Sequence, residues 1–276
     1  MKRTFLILCI GWAIGWFDHV CEGDFLPFVH LRIPGVLQRI ALCYCVISFT
    51  ALFMNHKFIP TLTFILLVSY TVILCMGNGY TCDESNILSI IDRQLFGEAH
   101  LYQSPIDPEG FVSTLSAIAH TCIGFSCGKW IIQSHQTENK VLRLFLTGFI
   151  LMSIGYLLAD ALPLNKRIWS PTFVLVTCGA ASMSLATLMY YIDIRNKQKW
   201  CRFFIIFGVN PLFLYVLSEV LAIMMGSTGW KAAAYAAIHS GITDAYLASA
   251  VYALVFTLFL GCIGYPLYLK KIYIKL

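Results

Sequence analysis

Residues 58–76 read FIPTLTFILLVSYTVILCM, nineteen residues without a charged side chain. As an α-helix rising about 1.5 Å per residue, this stretch is long enough to cross the hydrocarbon core of a bilayer, which is about 30 Å thick. Continuous apolar runs of this length are typical of transmembrane helices. The sequence therefore predicts a membrane-spanning helix at this point in the chain.

The rest of the chain has the same character. Of its 276 residues 59% are hydrophobic and only 12% are charged, which excludes an ordinary soluble domain. We expect an all-α fold, a polytopic transmembrane helical bundle in the lipid bilayer, forming a single domain over residues 1–276. About eight spans are predicted: Thr4–Phe17, Pro34–Met54, Phe58–Met76, Phe111–Ile132, Leu144–Ala161, Pro171–Ile192, Phe203–Met225 and Tyr246–Leu269.

The basic residues predict the orientation of the bundle, because Lys and Arg accumulate in short cytoplasmic loops. With the N-terminus inside, thirteen of the nineteen basic residues lie on the inner side, Lys140 and Arg143 among them. Both termini are then expected in the cytoplasm. No Asn-x-Ser/Thr sequon is present, which favours a bacterial inner membrane over a glycosylated organelle protein.

The segment 31–40, LRIPGVLQRI, places two cations and an amide at the mouth of a predicted span. A charge that enters a membrane span costs roughly 2.5 to 3.5 kcal/mol on insertion scales, so it usually faces a protein interior, a cavity or a ligand. We therefore predict that Arg32 and Arg39 rim a polar cavity on the outer side.

The run Asp107-Pro108-Glu109-Gly110 immediately precedes another span and has two interpretations. Asp as N-cap, Pro at the first helical position and Glu in the first turn would start a helix well. Alternatively, Asp107 and Glu109 hold a cationic or hydroxyl-rich ligand, or they pair with Arg32 and Arg39.

The turn 163–171, PLNKRIWSP, also carries polar and aromatic groups on the predicted outer side. It is either a turn that binds lipid headgroups or a contact for an anion or a sugar. In the second case Lys166 or Arg167 binds a phosphate or carboxylate and the indole of Trp169 stacks on the ligand.

Within the seventh predicted span, Asn210-Pro211 removes a backbone hydrogen bond and should kink the helix. Glu219 lies two turns further on, as a carboxylate inside an apolar segment. It is either a structural partner of Arg39 or a catalytic base. His120, near the middle of the fourth span, is interpreted as a structural histidine that bridges helices.

Other features are interpreted as structural. Residues 86–96, NILSIIDRQLF, predict a short interfacial helix with Ile87, Ile90, Ile91 and Leu95 on one face and Asp92 off it. Most of the eleven cysteines lie in apolar helices and should pack there, although Cys21 and Cys82 could pair in an oxidising compartment. No spacing typical of a metal site occurs, and we expect no nucleic-acid partner.

Several long segments resemble one family, the membrane acetyltransferases related to heparan-alpha-glucosaminide N-acetyltransferase, and specifically their bacterial relatives. The resemblance covers nearly the whole chain. The segments that carry it are LRIPGVLQRIALCY at 31–44, IDRQLFGEAHLY at 91–102, DPEGFVSTLSAIA at 107–119, PLNKRIWSPTFVL at 163–175 and FGVNPLFLYVLSE at 207–219.

The resemblance implies a polytopic enzyme that takes acetyl from acetyl-CoA and delivers it to an amino sugar on the far side of the membrane. It places ten residues around the donor and acceptor cavity: Arg32, Gln38, Arg39, Asp107, Glu109, Asn165, Lys166, Trp169, Asn210 and Glu219. Family members begin with further helices that carry a catalytic histidine segment. No such segment is found here, so we expect an N-terminally truncated member whose catalytic residue is unknown.

Two other functions stay open at this stage. The predicted kink and the intramembrane charges are also compatible with a sugar transporter or permease. A non-catalytic remnant, or a subunit that completes a partner protein or a homo-oligomer, is the third interpretation.

Overall fold

The computed structural model describes residues 1–102, 105–134 and 136–274. These residues form helices and no β-strand, which confirms the predicted all-α class. The α-helices are α1 Lys2–Cys21, α2 Val36–Phe53, α3 Ile59–Met76, α4 Ile87–Phe96, α5 Thr114–Gln133, α6 Thr137–Leu158, α7 Pro171–Met189, α8 Cys201–Val209, α9 Pro211–Ser227, α10 Trp230–Gly241 and α11 Ala245–Leu269.

The number of spans agrees with the prediction. In the described ranges, seven helices are long and apolar enough to cross a membrane, and there are eight if α8 and α9 count as one bent span. The two helices of that pair meet at Asn210 with an angle of 81°, so the predicted kink is confirmed as a full break. Which side of the membrane each end of the bundle faces stays a prediction.

The helices divide into two compact units. Unit 1 contains Met1–Gly11 and Val29–Lys197, and unit 2 contains Trp12–Phe28 and Gln198–Leu276. Helix α5 is central in unit 1 because it packs against α2, α3, α6 and α7.

Helices α6 and α7 form the most extensive helix pair of unit 1. A Cβ atom added to Gly148 would lie 2.7 Å from the carbonyl oxygen of Gly179, and one added to Gly179 would lie 2.6 Å from the carbonyl oxygen of Gly148. Any larger residue would push the two backbones apart, which is the usual reason for small residues at membrane helix contacts. This pair holds the turn that connects α6 to α7 in place.

At the end of unit 1 where α5 begins, a buried apolar cluster joins α3, α4 and the α6–α7 turn. Its members are Tyr70, Leu74, Leu88, Ile106, Val112 and Ile168. The Tyr70 hydroxyl donates a hydrogen bond to the carbonyl oxygen of Ile168. Because Ile168 directly precedes Trp169, this contact fixes the position of the indole.

Helix α4 forms where it was predicted but buries a partly different face. Asn86 caps it, since its side-chain oxygen accepts a hydrogen bond from the Leu88 N–H at 2.9 Å. Of the predicted apolar face, Ile87 and Ile91 pack against the buried cluster, whereas Ile90 and Leu95 are 40% and 56% exposed. The position of Asp92 was wrongly predicted, because its side chain is buried. Asp92 faces inward because it binds the backbone at the start of α5, and the helix turns accordingly.

In unit 2, α11 packs against α8 and α9 on either side of the break. Asn210 fills the break and is 3% exposed. Its side-chain nitrogen donates to the carbonyl oxygen of Ile272, and its side-chain oxygen accepts from the N–H of Ile274, both at 2.8 Å. These bonds satisfy the buried Asn210 amide and join the break to the segment that follows α11.

All eleven cysteines are free thiols, Cys21 and Cys82 included. Cys21 belongs to unit 2 and Cys82 to unit 1, and their pairing stays a prediction. Cys43, Cys122 and Cys178 are buried within helices, where a thiol behaves as a small hydrophobic group.

Candidate functional site

Arg32 joins the loop before α2 to the loop before α5. Its Nη2 atom lies 2.5 Å from Asp107 Oδ1 and 2.6 Å from Glu109 Oε2, and its Nε donates to Asp107 Oδ2 at 3.2 Å. Burial alone would lower the pKa of Arg32, but the hydrogen bonds and charges of the two carboxylates outweigh it and raise that pKa. The guanidinium also lies 5.1 Å from the ring centre of Tyr102.

Asp107 does not cap a helix, so that interpretation of the sequence was wrong. Helix α5 begins only at Thr114, and the Asp107 side chain, 0% exposed, organises the preceding loop instead. It accepts hydrogen bonds from the N–H groups of Tyr102 at 2.9 Å and Glu109 at 2.8 Å. The loop needs this ordering because it carries the groups that bind Arg39.

Arg39 is the buried cation of the site and is 6% exposed. Its Nη2 donates to the carbonyl oxygen of Gly110 at 3.3 Å and to the hydroxyl oxygen of Ser113. Its guanidinium lies 5.0 Å from the centre of the Trp169 ring, in a cation–π contact. In the described part of unit 1, Arg39 forms no ion pair, and its Nε and Nη1 have no hydrogen-bond partner.

Asp92 is the site residue that the sequence analysis missed. It is 1% exposed, and its Oδ1 accepts a hydrogen bond from the Phe111 N–H at 2.8 Å. Its Oδ2 has no partner among the described residues. Burial, with a smaller contribution from the charge of Asp107, raises the pKa of Asp92 to about 6 against the opposing effects of the Phe111 N–H and Arg39.

Glycine at position 110 is required by this carboxylate. A Cβ atom there would lie 1.8 Å from Asp92 Oδ2, far inside any real contact distance. Gly110 also supplies the carbonyl oxygen that binds Arg39. One residue therefore separates the buried carboxylate from the buried guanidinium, and it must have no side chain.

Trp169 connects Arg39 to α5. Its backbone lies in the left-handed region, with φ at 53°, a strained conformation for a bulky residue that is typical of functional positions. The ring lies 6.0 Å from that of His120 and 5.3 Å from that of Phe173, measured between centres. Its indole N–H is buried without a partner among the described residues, as is His120 Nδ1.

The other predicted residues of the turn do not share this position. Asn165 is structural, since its side-chain oxygen accepts a hydrogen bond from the Arg167 N–H at 2.8 Å. Lys166 is exposed on the turn. Of the three residues predicted there, the structure brings only Trp169 to the buried centre.

Gln38 is buried against backbone. A Cβ atom on Gly11 or Gly35 would lie 2.7 or 2.5 Å from the Gln38 side-chain oxygen, so both glycines make room for the amide. This packing ties α1 to the start of α2 within unit 1. A ligand contact for Gln38 stays a prediction.

Asn210 and Glu219 belong to unit 2. Asn210 has the structural role described above, and Glu219 is half-buried on α9. Pairing of Glu219 with Arg39, or a role for it as a base, stays a prediction.

A cavity of about 240 Å³ lies next to this centre, between α5 and α7. Its walls include His120, Cys127, Cys178 and Ser182, with Cys127 Sγ 3.6 Å from Ser182 Oγ. In the described ranges, no group of three or more His, Cys, Asp or Glu side chains is placed to hold a metal ion.

The centre therefore combines a buried carboxylate, a buried guanidinium and an indole at the start of α5.

No family model matches the chain. It is 26% identical over 332 aligned positions to heparan-alpha-glucosaminide N-acetyltransferase of Mus musculus, with 99% of this chain and 49% of that protein covered. It is also 26% identical to heparan-alpha-glucosaminide N-acetyltransferase of Homo sapiens, with 99% and 48% covered.

The chain spans about half the length of the curated relatives that it matches. The similarity nevertheless extends over almost all of this chain, and so over every segment from which the site is built. It confirms the resemblance that those segments indicated, to heparan-alpha-glucosaminide N-acetyltransferase.

Proposed function

We propose that this chain forms the membrane-embedded donor and acceptor cavity of an enzyme that transfers acetyl from acetyl-CoA to an amino sugar across a bacterial inner membrane. The observation that carries this proposal is Arg39, a buried cation held by neutral groups, two of whose nitrogens have no hydrogen-bond partner among the described residues. Packing alone does not explain a charge in such a place, because an unsatisfied buried charge is costly.

The site's chemistry suits this transfer. The sugar amine attacks the thioester carbonyl, so that a C–N bond forms and the C–S bond breaks; the amine proton goes to a base, and the thiolate of coenzyme A takes up a proton. The free N–H groups of Arg39 and Trp169 are donors that suit phosphate or carbonyl oxygens. Arg32, with Asp107 and Glu109, holds the loop that positions them.

A ligand reaches Arg39 only if the covering side chains move, because its free nitrogens are shielded from solvent. Trp169 covers the guanidinium from a strained backbone position. Since strain lowers the cost of leaving a conformation, we expect Trp169 itself to move, while the hydrogen bond from Tyr70 to Ile168 keeps the rest of the turn in place.

The test uses the 276-residue chain in proteoliposomes, with radiolabelled acetyl-CoA on one side and glucosamine on the other. We expect labelled N-acetylglucosamine, or, if the reaction requires the additional length of the relatives, stabilisation of the chain by acetyl-CoA without transfer. Arg39→Met should abolish either signal. Arg93→Met is the matched control, because Arg93 lies on α4 and pairs only with the exposed Glu84 and Glu98. If acetyl-CoA produces no acetyl transfer and no stabilisation of the chain, the proposal is contradicted.

A sugar permease is the second candidate, favoured by one observation. The 81° break at Asn210 gives unit 2 a discontinuous span, the kind of helix around which many transporters build their substrate sites. Uptake of radiolabelled glucosamine into proteoliposomes without acetyl-CoA would support it. Acetylation without net uptake of free sugar would exclude it.

A further inference from the structure

Two cavities of unit 1 meet at the same pair of side chains, Trp130 and Thr147. The first, of about 540 Å³, lies between the end of α5 and the first half of α6. Its walls are polar at Ser134, Asn139 and Lys140 and apolar further along α6. The second, of about 470 Å³, continues from Trp130 and Thr147 and is almost entirely apolar. Lining residues of the second include Phe64, Leu67, Leu151, Ile154, Leu158 and Leu175.

The polar end of the first cavity is cationic. Lys140 and Arg143 both line it, and because they are three residues apart on α6 they lie on the same face. The Arg143 guanidinium lies 5.5 Å from the centre of the Trp130 ring, which holds it at the cavity. Neither cation forms an ion pair with any residue in the described ranges.

The two cavities together are long enough to hold a lipid that occupies one leaflet. From Asn139 to Leu158, α6 runs about 28 Å at 1.5 Å per residue. One leaflet with its headgroups is about 20 Å deep. The two cavities together therefore provide a cationic end and an apolar wall long enough for one acyl chain.

We propose that these cavities hold one anionic phospholipid, with its phosphate on Lys140 and Arg143 and an acyl chain along the α5–α6 groove. Asn139 and Ser134 supply hydrogen-bonding groups for the rest of the headgroup. Trp130 lies at the junction of headgroup and acyl chain, where tryptophan is enriched in membrane proteins. The site lies at the opposite end of α5 from Arg39, so it does not depend on the proposed acetyl transfer.

Native mass spectrometry of the purified full chain in neutral detergent tests this proposal. Phosphatidylglycerol and phosphatidylcholine are titrated separately, and inorganic phosphate serves as the soluble anion. We expect one tightly held phosphatidylglycerol and weaker retention of phosphatidylcholine. Each of Lys140→Gln and Arg143→Gln should weaken phosphatidylglycerol binding about fivefold. Lys129→Gln, a nearby cation outside the cavity lining, should not.

A second variant tests the acyl groove separately from the charges. Thr147→Trp fills the junction of the two cavities and should reduce lipid retention with both cations intact. Circular dichroism establishes that each variant is folded. Equal retention of the two lipids, or retention unchanged in the Lys140→Gln/Arg143→Gln double variant, would overturn the proposal. Stabilisation by inorganic phosphate without lipid retention would also overturn it, because the site would then take a free anion.

Discussion

The two ends of α5 carry the same pairing of side chains in opposite surroundings. At its start Arg39 lies 5.0 Å from the ring centre of Trp169, and at its end Arg143 lies 5.5 Å from that of Trp130. Arg39 is 6% exposed and is bound by the Ser113 hydroxyl and a backbone carbonyl, whereas Arg143 is exposed.

Burial decides what each pairing contributes. A cation–π contact is worth about 0.5–1 kcal/mol at an exposed site and about 2 kcal/mol or more when desolvated. The buried pair therefore depends on its neighbours, because every polar group around it must be arranged to tolerate the charge. The exposed pair is solvated and needs no such arrangement of polar groups, so the Arg143 guanidinium stays available to bind a partner. We expect substitutions near Arg39 to lower the free energy of unfolding strongly and substitutions near Arg143 to change it little.

Arg32→Ala should have the largest effect. It leaves the buried Asp107 without its cation; breaking a fully buried pair costs about 3 to 5 kcal/mol of unfolding free energy, and because Arg32 is 31% exposed we expect the lower end of that range. Arg93→Ala is the control, since Arg93 pairs with exposed carboxylates and should cost less than about 1 kcal/mol. Chemical unfolding in detergent micelles measures both, and equal losses would contradict the buried role of Asp107.

Asp92 should make the first end sensitive to pH. Its folded-state pKa of about 6 lies above the ordinary carboxyl value, so its contribution to stability is complete below that ordinary value and is lost as pH rises through about 6. The loss is at most about 3 kcal/mol. Asp92→Asn should remove this dependence in unfolding measured from pH 4 to 8, whereas Glu98→Gln, at an exposed carboxylate, should leave it. If the free energy of unfolding of Asp92→Asn depends on pH as steeply as that of the unsubstituted protein, Asp92 is not the group responsible.

Two glycines allow the same substitution at the two ends. Gly110→Ala forces a methyl group onto Asp92 Oδ2 and should cost about 2 kcal/mol as an overpacking change. Gly128→Ala, near the end of α5, meets nothing within 4 Å and should stabilise the helix by up to about 1 kcal/mol. We expect Gly110→Ala to lower the thermal unfolding temperature and Gly128→Ala to raise it. Destabilisation of similar size at both sites would show that the contrast between the ends is not real.

Arg143→Gln should have the smallest effect on the protein itself. Its exposed cation–π contact is worth less than about 1 kcal/mol, so the lipid-free protein should unfold at nearly the wild-type temperature. Arg39→Gln, as its counterpart, should lower transfer or acetyl-CoA stabilisation at least tenfold. A large loss of stability in Arg143→Gln without lipid would place that arginine in the core of the fold.

The sequence predicted most of the fold because membrane spans are set by length and apolarity, which are local properties. The break at Asn210-Pro211 was predicted for the same reason, since proline acts on its own helix. Arg32 and Arg39 were also recognised as candidate site residues, because charged residues are rare in apolar segments. Pairing of Asp107 and Glu109 with Arg32 and Arg39 was one of three open alternatives: the α5 start at Thr114 excludes helix capping by Asp107, and the ion pairs confirm Arg32, whereas the predicted pairing with Arg39 was wrong in the described residues.

Asp92 was missed because its role is not local. The apolar residues of α4 indicated one buried face, but the helix turns so that Asp92 binds the N–H of Phe111, nineteen positions away. The matching signal in the sequence is Gly110, whose missing side chain makes room for the carboxylate. No helical periodicity relates these two positions, so the pattern of α4 alone could not identify the pair.

The bonds that Asn210 makes also set an order of events during synthesis. The break between α8 and α9 is closed by backbone groups of Ile272 and Ile274, which lie 62 and 64 residues further along the chain. At about 5–20 residues per second, the ribosome needs roughly 3 to 13 s to make that stretch. During this interval the Asn210 side chain lacks these two partners, so the junction of α8 and α9 reaches its final structure only after Ile272 and Ile274 have been made.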